Sequence, residues 1–354
     1  MKILIRAPNW VGDAVMAIPT LEAIRKTRAG AEISLLARPA VADLLAGQPF
    51  IDRVLPYEYR GRHAGVRGRE KLVGELRKEN FDAAVLLQNA FEAAWLAWRA
   101  DIPERIGYAR DARSPFLTNA VRVPREGQRP SHESQYYLEL LLGAGWIEAI
   151  PEIPPIRLSI PESARTATES LLRKSGGRGN AWRCAIAPGA SYGAAKCWPP
   201  ERFAQLADRL ISECDADVIF FGTPVEKDIA ARIRSTMNSR AVSLVGETSM
   251  RDLAALFSCC SAFIGNDSGA MHVAAAAGLP VIGIFGPTDP QGTAPVTGEF
   301  ALIRESVSCS PCFLRRCPVD HRCMTRISVD SVFSAAMQMK NRPHRPSVRG
   351  ARNV

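Results

Sequence analysis

A lone carboxylate, Asp13, closes the run Asn9-Trp10-Val11-Gly12-Asp13, which follows the first apolar stretch, Lys2–Ala7. An aspartate at the mouth of a helix caps the free amides there. The same residue at a sheet edge can act as a general base. Local spacing leaves both readings open. A second stretch, Pro188-Gly189-Ala190-Ser191-Tyr192-Gly193, leads to Lys196 and Trp198-Pro199-Pro200. Small residues and a lysine ahead of a helix suit a diphosphate, because amides donate to it and the ammonium neutralises it. A solvated lysine is the plainer alternative. The third stretch is Ile264-Gly265-Asn266-Asp267-Ser268-Gly269-Ala270-Met271-His272. Its small polar residues open an Ala-rich helix ended by Gly278 and Pro280, so free amides and the positive end of the helix dipole face any bound anion. Asp267 and Ser268 could equally be caps, and His272 a packed side chain.

The elements that hold these residues alternate in type. Strands are expected at Lys2–Ala7, Ile33–Ala37, Arg53–Pro56, Ala83–Leu87 and Val121–Val123. Pro19 should split the first helix, which begins near Gly12-Asp13. After a proline- and glycine-rich crossing between Pro151 and Asn180 the pattern restarts. Strands are expected at Cys184–Ala187, Asp217–Phe221, Val242–Val245, Ala262–Gly265 and Val281–Phe285. Helices are expected at Pro200–Ser212, Ala230–Met237, Met250–Ser258 and Gly269–Ala277. Alternation of this kind predicts an α/β chain of two doubly wound parallel-sheet domains facing a cleft. The expected extents are 1–165 and 180–338, followed by a disordered basic tail at 339–354. A chain of 354 residues exceeds what one core usually serves.

Composition sets further bounds. Lys and Arg number 45 against 36 acids, so the chain favours acidic partners. No basic module with interleaved aromatics is present, which argues against nucleic acid. No G-x-G-x-x-G follows the first strand, which argues against a nicotinamide or flavin dehydrogenase there. No apolar run approaches the roughly 20 residues of a spanning helix, and the start of the chain lacks the features of a signal peptide, so a cytoplasmic location is expected. Cys309, Cys312, Cys317 and Cys323, with His321 among them, are either a zinc site or reduced thiols packed in a loop. Between the expected strands Arg53–Pro56 and Ala83–Leu87, Arg60, Arg62, Arg67, Arg69 and Lys71 lie in a glycine-rich segment that reads as a basic loop.

Together the three stretches, with Phe285-Gly286-Pro287-Thr288 and Gly246-Glu247-Thr248, resemble the heptosyltransferases of glycosyltransferase family 9 from Met1 to about Phe333. The resemblance implies a GT-B fold and inverting, metal-independent transfer of L-glycero-D-manno-heptose from ADP-heptose to the inner-core heptose/Kdo region of lipopolysaccharide. It implies no cofactor. By the same carry-over Asp13 is the base, Lys196 pairs with the diphosphate and Asp267 contacts the donor sugar. Glu226 bonds the ribose, Thr248 lies by the adenine, and Ser191, Ser268, Gly269 and His272 complete the donor site. Asn9, Trp10, Arg60, Arg62, Arg67 and Arg69 would meet the lipid A-linked acceptor, at the inner face of the membrane. Another family 9 sugar transferase, or a GT-B nucleotide-sugar 2-epimerase, is the alternative. No D-x-D pair closes a strand to hold a metal.

Overall fold

The computed structural model describes residues 1–125, 130–178 and 182–342. It divides into two compact units. The first is Met1–Ser159 with the short returns Ser249–Arg251 and Gln291–Thr293; the second comprises Ile160–Thr248, Asp252–Pro290 and the described chain from Ala294.

The first unit is built on a six-stranded sheet. Its strands are β1 (Lys2–Arg6), β2 (Glu32–Ala37), β3 (Arg53–Pro56), β4 (Ala83–Leu86), β5 (Glu104–Tyr108) and β6 (Asn119–Val121), in the order β3-β2-β1-β4-β5-β6. All pairings are parallel. Ile3, Leu4 and Ile5 are buried together, as expected where helices cover both faces of a parallel strand. The first helix is interrupted as expected: Val11–Met16 ends before Ile18–Thr27, in whose first turn Pro19 sits without an amide to lose.

The second unit repeats the plan. Strands β7 (Arg183–Ala187), β8 (Asp217–Phe220), β9 (Val242–Ser243), β10 (Ala262–Asn266), β11 (Val281–Phe285) and β12 (Phe300–Arg304) lie in the order β12-β11-β10-β7-β8-β9, again parallel. Helix Pro200–Cys214 buries Phe203, Ala204, Leu206, Ala207, Leu210 and Cys214, the three-to-four spacing of one helical face. In each sheet the winding reverses between two adjacent strands, β1/β4 and β7/β10. Open α/β sheets bind ligands outside the carboxyl ends of strands at such a reversal.

Three expectations need correction. The last strand of the first sheet is Asn119–Val121, earlier than expected, and β5 lies before it. The basic segment is a loop only in its first half, because Gly65–Glu79 is a helix. Its apolar positions Leu72, Val73 and Leu76 pack inward, and Gly68 is required: a Cβ there would lie 2.3 Å from the carbonyl carbon of His63. The tail cannot start at 339, since helix Val329–Lys340 runs through it; residues 343–354 lie outside the described residues, as do Gly179 and Asn180 of the crossing. No helix among the described residues is long and apolar enough to cross a membrane.

Candidate active site

In the first unit the β1 turn is organised by Arg6. This guanidinium is fully buried, and burial lowers its pKa to about 10. It donates to the carbonyl of Ala7 at 2.7 Å and to Asn9 Oδ1 at 2.8 Å, so the last residue of β1 fixes the turn that leads to Asp13. Trp10 is the N-cap of helix Val11–Met16 and is 45% exposed; Asp13, half-buried, is the third helical residue. Asp13 is therefore not the cap. Its carboxylate still lies in the first turn, where the helix dipole favours negative charge.

The remaining acceptor candidates spread along the next elements. Arg60 and Arg62 are exposed in the loop; Arg62 pairs with Glu58 at 3.1 Å. Arg67 and Arg69 lie on the helix, with Arg69 held by Glu92. A second buried guanidinium, Arg113, was not visible as a site residue in the sequence. It bonds the carbonyls of Tyr108 and Gln88 and Asn89 Oδ1, at 2.8, 2.5 and 2.9 Å, just beyond β4 and β5. Only the fold brings it to that sheet edge.

In the second unit the candidates converge at the β7/β10 reversal. Lys196 Nζ lies 2.5 Å from Asp267 Oδ2, which also accepts the Thr288 hydroxyl at 2.6 Å. Asp267 is only 4% exposed, so the pair is largely removed from water. Lys196 also lies 4.8 Å from the centroid of the Tyr192 ring. Asn266, fully buried, straps the two loops together. Its amide donates to the Pro188 carbonyl at 2.7 Å, and its oxygen accepts the Trp198 amide at 3.0 Å. Ser268 is the N-cap of helix Gly269–Ala276, but its side chain makes no capping bond and its buried Oγ has no partner. His272 is buried one turn in, 4% exposed.

Glu226 bends back over the same edge. Its Oε2 accepts the Thr223 amide and hydroxyl at 2.6 and 2.9 Å. A Cβ on Gly189 would lie 1.7 Å from its Oε1, so the bare backbone of Gly189 makes room for this carboxylate. Thr248 follows β9 at the same end of the sheet, half-buried, and Ser191 is exposed on the β7 loop.

The cysteine-rich segment braces this loop. The Tyr192 hydroxyl donates to the Phe313 carbonyl at 2.5 Å, the Ala195 amide to the Arg315 carbonyl at 3.1 Å, and His321 Nε2 to the Ala195 carbonyl at 2.7 Å. Among the described residues no group of three His, Cys, Asp or Glu side chains is arranged to hold a metal. Burial raises the pKa of Cys323, with Cys309, Cys312 and Cys317 adding to the effect. Sequence reasoning missed the roles of Asn266, Thr288 and Tyr192, though all three lie inside or beside the stretches it singled out.

Known proteins resemble this chain in sequence and fold. The model of glycosyltransferase family 9 (heptosyltransferase) matches residues 69–322. Lipopolysaccharide heptosyltransferase 2 of Escherichia coli K12 is 30% identical over 312 residues, 86% of this chain and 88% of that protein; the enzyme of the same name in Salmonella typhimurium matches equally. The solved structure of the E. coli ADP-heptose lps heptosyltransferase II superposes with a TM-score of 0.81 at 26% identity, covering 96% of this chain and 98% of that one. A family 9 glycosyltransferase structure from Veillonella parvula has a TM-score of 0.83 at 22% identity, over 96% of each chain. With two doubly wound units of GT-B type and a family match over most of its length, the chain belongs to glycosyltransferase family 9, the heptosyltransferases.

Proposed function

We propose that this enzyme transfers L-glycero-D-manno-heptose from ADP-heptose to the inner-core heptose/Kdo region of lipopolysaccharide, with inversion at the anomeric carbon. The observation that carries the reading is the 30% identity, over 86% of the chain, to lipopolysaccharide heptosyltransferase 2. The geometry of the second unit supports a nucleotide-sugar donor there. An ammonium, a helix N-terminus and a loop of small residues share one sheet edge, the grouping that neutralises a diphosphate.

In this reading the donor diphosphate meets Lys196 and the amides near Ser268 and Gly269, which stabilise charge as ADP departs. Asp267 contacts the heptose, while Glu226 and Thr248 receive the ribose and adenine. The first unit takes the acceptor through Asn9, Trp10 and the arginines at 60, 62, 67 and 69. Asp13 withdraws the proton from the attacking hydroxyl. The enzyme works in the cytoplasm, at the inner face of the membrane that carries the acceptor.

The test is mass analysis of core lipopolysaccharide from a strain lacking the gene. A core truncated after its first heptose is the expected result. A core lacking heptose altogether would reassign the enzyme to the first transfer, and an intact core would remove the reading.

A further inference from the structure

One surface of the first unit, beside the arginines assigned above to the acceptor, is only partly taken up by the core: Trp95 and Phe116 pack against it, while Phe91 and Trp98 do not. Along helix Phe91–Arg99, Phe91, Trp95 and Trp98 recur at steps of four and three and so share one face. The buried face carries Ala94, Leu96 and Ala97, which pack in one core with Leu72, Val73 and Leu76 of helix Gly65–Glu79. Phe91 and Trp98 are each 44% exposed. Both meet Phe116 edge-on, with ring centroids 5.2 and 5.1 Å from it. Scattered exposed aromatics need no explanation, but three rings in contact on a surface do.

The charge around this ridge is positive. Its neighbouring acids are already engaged: Glu92 by Arg69, Glu70 by Arg99 at 2.9 Å and Asp101 by Arg77 at 2.7 Å. Positions 60 to 78 hold seven Lys or Arg against two Glu, and Arg60, Arg67, Lys71 and Lys78 are exposed. The surplus is therefore cationic, beside apolar rings.

We propose that this face docks on an anionic lipid surface, with the rings of Phe91, Trp98 and Phe116 at headgroup level and the basic side chains against the headgroups. The inference rests on the reading above that the acceptor is lipid-linked. Aromatic rings favour the interfacial layer, and nearby cations add an attraction that salt screens. Neither contribution alone holds a protein at a membrane; a ridge and a basic rim on one face supply both.

The experiment is co-sedimentation of the full chain with vesicles of phosphatidylcholine, alone or mixed with phosphatidylglycerol. Binding is expected to the mixed vesicles and to weaken with added salt. Phe91→Ser with Trp98→Ser should weaken it by at least about tenfold, while transfer to a deacylated, water-soluble acceptor keeps its kcat and KM. Lys78→Glu, which leaves the ridge intact, should weaken it by about fivefold. The proposal is overturned if the wild-type chain ignores the mixed vesicles, or if the double variant binds them unchanged. It is equally overturned if the wild-type chain self-associates through these residues, which would assign the ridge to a second copy. Transfer to the deacylated acceptor separates the two ideas: its absence in the wild-type chain defeats the functional reading, whereas the vesicle result judges the surface by itself.

Discussion

Asp13 occupies the third position of a six-residue helix, and Trp10 takes the capping position instead. The N-cap position therefore belongs to another residue, and the first prediction tests Asp13 as a base. Asp13→Asn keeps the shape of the side chain and removes its basicity. Turnover should fall by roughly 10²–10⁴-fold, while ADP affinity, measured by calorimetry, stays near that of the wild type. Near-normal turnover at saturating substrate would exclude Asp13 as the base. The second prediction concerns the buried pair. Lys196→Ala should weaken ADP binding by roughly 10- to 100-fold, because a charge-assisted bond to phosphate contributes about 1.5–3 kcal/mol. Asp267→Asn should harm ADP-heptose binding more than ADP binding, since the proposed partner of Asp267 is the sugar; equal losses would contradict that role. Asp13, Lys196 and Asp267 could be picked out as candidates because each is a charged residue among small ones in a stretch that follows an expected strand. The partners were not: Thr288 and Asp267 lie 21 residues apart, and Asn266 and Pro188 lie 78 apart. Nothing in local spacing says that such side chains meet.

At the scale of elements, the strands that carry the site followed from their β-branched and apolar runs, while others were hidden. β5 opens with Glu104-Arg105, and its polar start masks a strand whose last residues, Ile106, Gly107 and Tyr108, are buried. The helix Gly65–Glu79 was hidden by its glycines. One of them, Gly68, serves close packing against the backbone of His63 five residues earlier, a contact that depends on how the loop enters the helix and that residue type alone does not announce. The same kind of close approach yields a third prediction. Gly189→Ala would drive the Glu226 carboxylate off the β7 loop, because the clash is with the movable end of a side chain and not with backbone. The variant should fold normally and raise the donor KM, and Glu226→Ala should do the same. If the two residues act as one unit, the double variant should be little worse than either single one. Additive losses in donor KM would show that Gly189 matters for another reason.

The whole molecule uses one topology twice, and each copy presents part of its candidate set at the reversal of strand order: Asp13 after β1, and Lys196 and Asp267 after β7 and β10. The doubling was legible from the restart of the strand–helix alternation after Pro151; the identity of the two strand orders was not, because pairing between distant strands leaves no local trace. Neither reversal carries a D-x-D pair. Asp215-Ala216-Asp217 sits at the amino end of β8, where Arg178 engages both carboxylates. Transfer should therefore survive EDTA at full rate, with Lys196 and amides in the place of a divalent ion. Loss of activity on chelation, restored by Mg²⁺ or Mn²⁺, would show that the diphosphate is neutralised differently. The strap made by Asn266 has a consequence for anyone recombining this enzyme with a relative. One amide joins the β7 loop to the β10 loop, Thr288 joins the β11 loop to Asp267, and the segment from Phe313 to His321 holds the β7 loop in turn. These four pieces are scattered over more than a hundred residues, yet none is an independent module. A chimera that changes donor preference must exchange them as a set, because a single grafted loop would arrive without the partners that give it its shape.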